Sequence, residues 1–262
     1  MEASDAGSTC IYRSEGGSKL KLIITSDWHL DASTAGMSRF DDVKNAVESI
    51  VYEACIAKVD MFVFLGDLTD PDSVRSHRSV AYAVNVALGL ARRGISSRWL
   101  VGNHDVIEDG SGDHTLMAFR DLDCHVSDAT IRLFDRPSTE MFSEHDHNDV
   151  LFVALPFTPR SHPYDPATYV STLDFPPVSR VVVMGHLNIE GIGPGSETTD
   201  MPRGREVFFP VAAVQKRWPG ALMLNGHIHK PQEFNRIYIP GSPCRFTFGE
   251  EHNSPGYIVC EV

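Results

Sequence analysis

KLKLIITSDWH, residues 19–29, decides how the rest of the chain is read. Leu20, Leu22, Ile23 and Ile24 make a short apolar run that reads as a strand, and it stops at Ser26-Asp27-Trp28-His29, where an acid and an imidazole follow at once. Residues 41–58 then carry Val43, Val47, Ile50, Val51 and Ala54 at the spacing of an amphipathic helix. A second strand, 61–65, stops at Gly66-Asp67. Residues 79–93 are helical again, with Val80, Val84, Ala87, Leu88 and Ala91 on one stripe and Gly94 as a stop signal. A third strand, 98–101, stops at Gly102-Asn103-His104-Asp105. This alternation predicts right-handed crossovers and a largely parallel sheet.

Beyond residue 150 the apolar runs are short: 150–155, 180–184, 221–224, 236–239 and 257–262, bounded by Gly, Pro and Asn. Helical patterning is weaker there, so more antiparallel pairing and a second sheet packed on the first are expected. The fold class is therefore α/β, with residues 19–262 as one domain and residues 1–18, Gly/Ser-rich and polar, as a flexible arm. The Pro-rich stretch 156–177 reads as a long surface excursion and a site of substrate contact.

At 262 residues the chain can bury a large core without disulfides. Its five cysteines, Cys10, Cys55, Cys124, Cys244 and Cys260, are odd in number and form no CxxC pair. That suits a reducing, cytoplasmic setting. No signal peptide and no run of roughly 18 apolar residues is present, so no membrane partner is expected. The formal charge is −12, from 23 Lys+Arg against 35 Asp+Glu. Such a balance argues against coating nucleic acid electrostatically, unless carboxylates hold cations that reset the local field. Arg75, Arg78, Arg92, Arg93, Arg98, Arg203 and Arg205 are the candidates for a local basic groove.

Two further strand ends carry Gly185-His186 and, within ALMLNGHIHK (221–230), Gly226-His227-Ile228-His229. On a continuing strand His227 and His229 would point to the same side; alone, they could equally be a polar loop. Taken singly, Asp-x-His, Gly-Asp and Asn-His-Asp also have plain turn readings. Together, five strand ends supply Asp, Asn and His where open α/β sheets place their sites. Asp67 can bridge two cations with its two oxygens, and Asp27, His29, Asn103, His186, His227 and His229 complete mixed O and N shells. That set suits two Mn²⁺, Fe²⁺ or Zn²⁺ ions better than Ca²⁺, and the lack of cysteine argues against a structural zinc site. Two ions can polarise a phosphoryl group, activate water and steady the leaving oxygen, which is the chemistry of phosphoester hydrolysis.

These motifs, D-x-H, G-D, G-N-H-D, H and G-H-x-H over residues 27–229, resemble those of the calcineurin-like metallophosphoesterase superfamily. The resemblance implies a two-sheet β-sandwich flanked by helices. It implies one metal held by Asp27, His29, Asp67 and His229, and a second held by Asp67, Asn103, His186 and His227, with a bridging hydroxide as nucleophile. His104 would then be the catalytic group that assists the leaving oxygen, and Asp105 would orient it. Gly185-His186-Leu187-Asn188-Ile189-Glu190-Gly191 is similar to the G-H-L-T-x-x-G of SbcD-type DNA repair nucleases. Residues 238–251, YIPGSPCRFTFGEE, likewise resemble their Y-x-G-S-x-x-R-x-x-F-G-E-E segment. By that resemblance the substrate is DNA, Mn²⁺ the metal, and Ser242 and Arg245 substrate contacts. An SMC-like ATPase of SbcC type is the implied partner, although the usual capping and docking region does not follow in this sequence; a homodimer is also allowed.

The function expected is a metal-dependent nuclease, exo or endo. Two alternatives stand beside it: a phosphodiesterase or phosphatase for a small ester such as a cyclic nucleotide, and a non-catalytic interaction module on the same fold. The ligand-dense run Glu144-His145-Asp146-His147-Asn148-Asp149 lacks an apolar scaffold and reads as a solvated loop. His114, His125, His162 and His252 read as surface or outer residues. The loop 191–205 is open to either a substrate-contact or a plain surface reading.

Overall fold

Along the first strand Leu22 and Ile24 face one way and Ile23 the other, and all three are fully buried. A strand buried on both faces needs a layer on each side, and the computed structural model supplies them. It describes residues 19–70, 76–122, 125–126, 128–143, 149–175, 180–190, 192 and 207–262. The arm expected over 1–18, positions 144–148 of the histidine-rich run, and all of the loop 191–205 except Ile192 lie outside these described residues.

In chain order the elements are β1 (Lys21–Thr25), β2 (Ser33–Thr34), β3 (Met37–Ser38), α1 (Phe40–Ile56), β4 (Met61–Phe64), α2 (His77–Ala91), β5 (Ser96–Leu100), β6 (His125–Val126), β7 (Ala129–Phe134), β8 (Ser138–Phe142) and β9 (Val150–Leu155). They continue with α3 (Pro166–Thr172), β10 (Arg180–Gly185), α4 (Val211–Arg217), β11 (Leu222–Asn225), β12 (Gln232–Phe234), β13 (Ile237–Ile239) and β14 (Ile258–Glu261). One sheet has the order β14-β1-β4-β5-β7-β6 and the other β12-β13-β11-β10-β9-β8, while β2 and β3 form a small ribbon. In the first sheet β1, β4, β5 and β7 are parallel, in register Leu22 to Met61, Met61 to Ser96 and Ser97 to Ile131. Antiparallel strands close its edges.

Leu22, Ile24, Met61, Val63, Phe152, Val182 and Leu224 fill the layer between the sheets. The opposite face of the first sheet, with Ile23, Phe62 and Trp99, packs on Val43 and Val47 of α1 and Ala83 and Ala87 of α2. The outer face of the second sheet, with Val153, Val183 and Met223, packs on Val170 of α3 and Val214 of α4. The fold is thus an α/β sandwich of two sheets between helical layers.

The expected antiparallel character of the second half is corrected. β9, β10, β11 and β13 are parallel, and only the edge strands β8 and β12 run antiparallel. The physical reason lies in VLFVAL and RVVVMG, which are buried at every position. Runs apolar on both faces are the mark of a covered parallel sheet. The Pro-rich excursion also holds more order than expected: Asp165 caps α3 by accepting from the Thr168 N–H at 2.7 Å, with Pro166 opening the helix. Among the described residues no helix is long and apolar enough to cross a membrane.

Candidate metal centre

Each loop that leaves β1, β4, β5, β10 and β11 is short and tied to its neighbours by backbone hydrogen bonds. Asp27 N–H donates to Gly66 C=O at 2.9 Å and His29 N–H to Asp67 C=O at 3.1 Å, so the first two loops run side by side. Asp27, His29, Asp67 and His227 all adopt positive φ, 53°, 41°, 60° and 73°. Non-glycine residues enter this region at a cost and mostly where function demands it. Gly66 has φ 103°, and a Cβ there would lie 2.5 Å from His186 Nδ1. Glycine at 66 lets the two sheets' loops meet.

The side chains converge in two groups. Asp27, His29 and His229 form one and Asp67, His186 and His227 the other, with the donor atoms of each group within 4.8 Å of one another. Asp67 sits between them: its Oδ2 is 3.1 Å from His186 Nε2 and 3.9 Å from His29 Nε2. Asn103 Oδ1 lies 2.9 Å from both His186 Nε2 and His227 Nδ1. His227 and His229 therefore face neighbouring points rather than one, because the positive φ of His227 breaks the alternation expected of a strand.

The outer nitrogens settle the tautomers. His29 Nδ1 donates to Thr69 C=O at 3.2 Å, and His186 Nδ1 to Leu65 C=O at 2.6 Å. His229 Nδ1 donates to Glu250 Oε1 at 2.7 Å, and His227 Nε2 to Asn188 Oδ1 at 3.2 Å. In each neutral ring the remaining nitrogen presents a lone pair to the centre. Lone pairs then oppose lone pairs: His29 Nε2 and His229 Nε2 are 3.1 Å apart. Asp27 Oδ1 accepts the His227 N–H, but its buried Oδ2 has no partner. Acceptors facing acceptors around an orphaned carboxylate oxygen fit divalent cations and little else.

Electrostatics agree. Burial pushes the Asp27 carboxyl up to about 6 despite the opposing pull of His186 and His229. Burial lowers His227 to about 3 and His29 well below the usual imidazole range, so both are neutral donors at pH 7. His186 is also depressed by burial, yet Asp67 and Asp27 outweigh that and hold it at about 9. Two buried carboxylates thus demand positive charge at this spot, and cations meet that demand.

His104 N–H donates to Asp67 Oδ1 at 2.9 Å, and its Nε2 lies 3.8 Å from Asp67 Oδ2, at the mouth of the centre. The expected role of Asp105 is corrected. Its carboxylate accepts from the N–H groups of Asp67, Leu68 and Gly102 and from the Thr115 hydroxyl, at 3.0, 2.9, 2.9 and 2.7 Å. With four donors already in place, Asp105 clamps two loops together rather than holding the His104 ring. Ser242, expected as a substrate contact, is buried, and its hydroxyl donates to Cys244 C=O at 2.6 Å. Arg245 is exposed, with Nε donating to Asn253 C=O at 2.8 Å.

Glu250 and Asn188, the acceptors behind His229 and His227, were not read from the sequence as site residues. Both lie inside segments that carry the nuclease resemblance, and that was the available signal. Arg98 does not serve a basic groove, because it is buried and paired with Glu140 at 2.7 Å. Arg78 stacks on Phe40 and pairs with Asp41. Arg75, Arg203 and Arg205 lie outside the described residues.

A sequence model of the calcineurin-like phosphoesterases matches residues 20–231. The SbcD subunit of the SbcCD nuclease of Escherichia coli K12 is 23% identical over 256 residues, covering 88% of this chain and 62% of its own length. Exonuclease subunit 1 of Enterobacteria phage T4 is 20% identical over 260 residues, covering 93% of this chain and 65% of its own. The chain therefore spans less than two-thirds of the curated relatives it matches. Among solved structures, TT1561 of Thermus thermophilus superposes with a TM-score of 0.52 at 11% identity, over 86% of this chain and 90% of that one. This last likeness concerns the fold alone.

Proposed function

Because the chain belongs to the calcineurin-like phosphoesterase family, we propose that it is a two-metal phosphodiesterase whose substrate is DNA. The observation that carries the reading is Asp67, a member of one donor group whose Oδ2 also lies 3.9 Å from His29 Nε2 of the other, with His104 at its side. One ion would be held by Asp27, His29, Asp67 and His229, the other by Asp67, Asn103, His186 and His227. When bound, two divalent cations supply a polarised phosphoryl group and an activated water. The mixed oxygen and imidazole donors favour Mn²⁺, with Fe²⁺ and Zn²⁺ compatible.

The chain's own residues do the rest. The four histidines are fixed by their outer acceptors, so little reorganisation precedes the reaction. His104 gives a proton to the departing oxygen, and its backbone N–H on Asp67 keeps it beside the centre. Asp105 holds the loop of His104 against the loop of Asp67. Arg245, exposed beside the segment that carries Glu250, contacts a DNA phosphate. The nuclease names of both curated relatives support a nucleic acid over a small ester. Both are also named as subunits, which supports assembly with a further protein; an SMC-like ATPase is the one the sequence resemblance implies. A cytoplasmic location fits the cysteine pattern.

The test is cleavage of end-labelled duplex and single-stranded DNA with Mn²⁺. Wild type should cleave, Asp67→Asn should fall to background, and His104→Ala should lose roughly 10²–10⁴-fold in rate. Intact DNA alongside rapid hydrolysis of a model phosphodiester would retire the DNA reading and keep the two-metal chemistry.

A further inference from the structure

A cavity of about 330 Å³ opens immediately behind the His104 loop. Its floor is apolar, from Val101, which ends at the Gly102 turn, Val106, which directly follows Asp105, and Phe157, whose N–H donates to Val101 C=O at 3.0 Å. Its rim carries Arg120, Arg136, Asp113 and Asp135. One carboxylate, Asp135, is shared by three partners: Arg120 at 2.7 Å, Arg136 at 3.3 Å and His114 at 3.6 Å. Arg136 spends only its Nε on this contact, and its side chain is 78% exposed, so both terminal nitrogens are open to an anion. His114, which lines the cavity, is 6% exposed and its Nδ1 has no partner.

We propose that this cavity is a subsite for one nucleotide, beside the loop that carries His104. The assignment rests on the DNA reading of the metal centre. An apolar floor of valines and a phenylalanine fits the face of a base, Arg136 fits the phosphate, and Asp113 accepts from an exocyclic amine of the base. The volume lies at the low end of the roughly 300–1,000 Å³ of small-ligand sites, room for a single nucleotide and not for a run of them. Val106 links the subsite to the chemistry, because it pairs with His114 as an isolated bridge while its neighbour Asp105 clamps the catalytic loops.

The experiment is calorimetric titration of deoxycytidine 5′-monophosphate into the Mn²⁺-loaded full chain. Arg136→Glu is compared with Lys216→Glu, the same charge change at an exposed position in α4. Wild type and Lys216→Glu should bind alike and Arg136→Glu at least tenfold more weakly. Equal affinities in all three place the nucleotide elsewhere, such as the metal centre, and overturn the proposal; so does absence of binding to wild type. Failure of the nuclease reading looks different: DNA stays intact while the Arg136 dependence of nucleotide binding persists.

Discussion

Glu250 acts on His229 as Leu65 C=O acts on His186: each takes the outer N–H of a ring and turns the other nitrogen inward. Glu250 is the costlier device, since a carboxylate at 2% exposure must be satisfied. Its second oxygen accepts the Phe246 N–H at 2.6 Å, and with Thr247 it closes a capping box on the turn Phe248–Glu250. Its carboxyl is depressed against the opposing effect of burial, chiefly by the hydrogen bond to His229. Glu250→Ala should weaken one of the two metal sites by ~10–100-fold, read by chelator competition, and leave the other unchanged. Glu250→Gln, which still accepts from the ring, should recover part of the loss. Unchanged affinity in both variants would reduce Glu250 to a cap. No periodicity could have announced this residue, because any acceptor of the right reach serves a histidine's outer nitrogen. The inward-facing ligand types were legible for the opposite reason: few residues bind divalent ions, and five strand ends carried them.

At the scale of elements, the site exists because five parallel strands end together and their loops interlock. Gly66 is where the two sheets' loops touch. Gly66→Ala adds a methyl 2.5 Å from His186 Nδ1 and 2.8 Å from the Gly102 backbone, at φ 103°. We expect destabilisation of about 1–3 kcal/mol or more in denaturant unfolding, together with weaker metal binding, because His186 must give way. Stability and metal affinity both unchanged would mean that the loops are looser than their hydrogen bonds imply. The strands β1, β4, β5, β9 and β10 were legible as apolar runs, with boundaries shifted by a residue or two. β7 and β8 were not, since Thr130, Arg132 and Glu140 interrupt the pattern and make edge-like sequences. Parallel direction in the second sheet was missed because neither run length nor composition specifies the order in which strands neighbour one another. The topology does that through α3 and α4, each only seven residues long.

At the scale of the molecule, a net charge of −12 sits oddly with the proposed DNA substrate until the site is considered. The acidic and imidazole donors face inward, where a pair of cations would supply attraction for phosphate in place of a basic surface. The chemistry therefore stands or falls on two ions per chain, bridged by Asp67. The direct measurement is Mn²⁺ titration followed by electron paramagnetic resonance. Wild type should bind two Mn²⁺ per chain and develop an exchange-coupled spectrum as the second site fills, and Asp67→Asn should lose that coupling. A single ion per chain at saturation, or two that remain magnetically independent in the wild type, would contradict the shared centre on which the account rests.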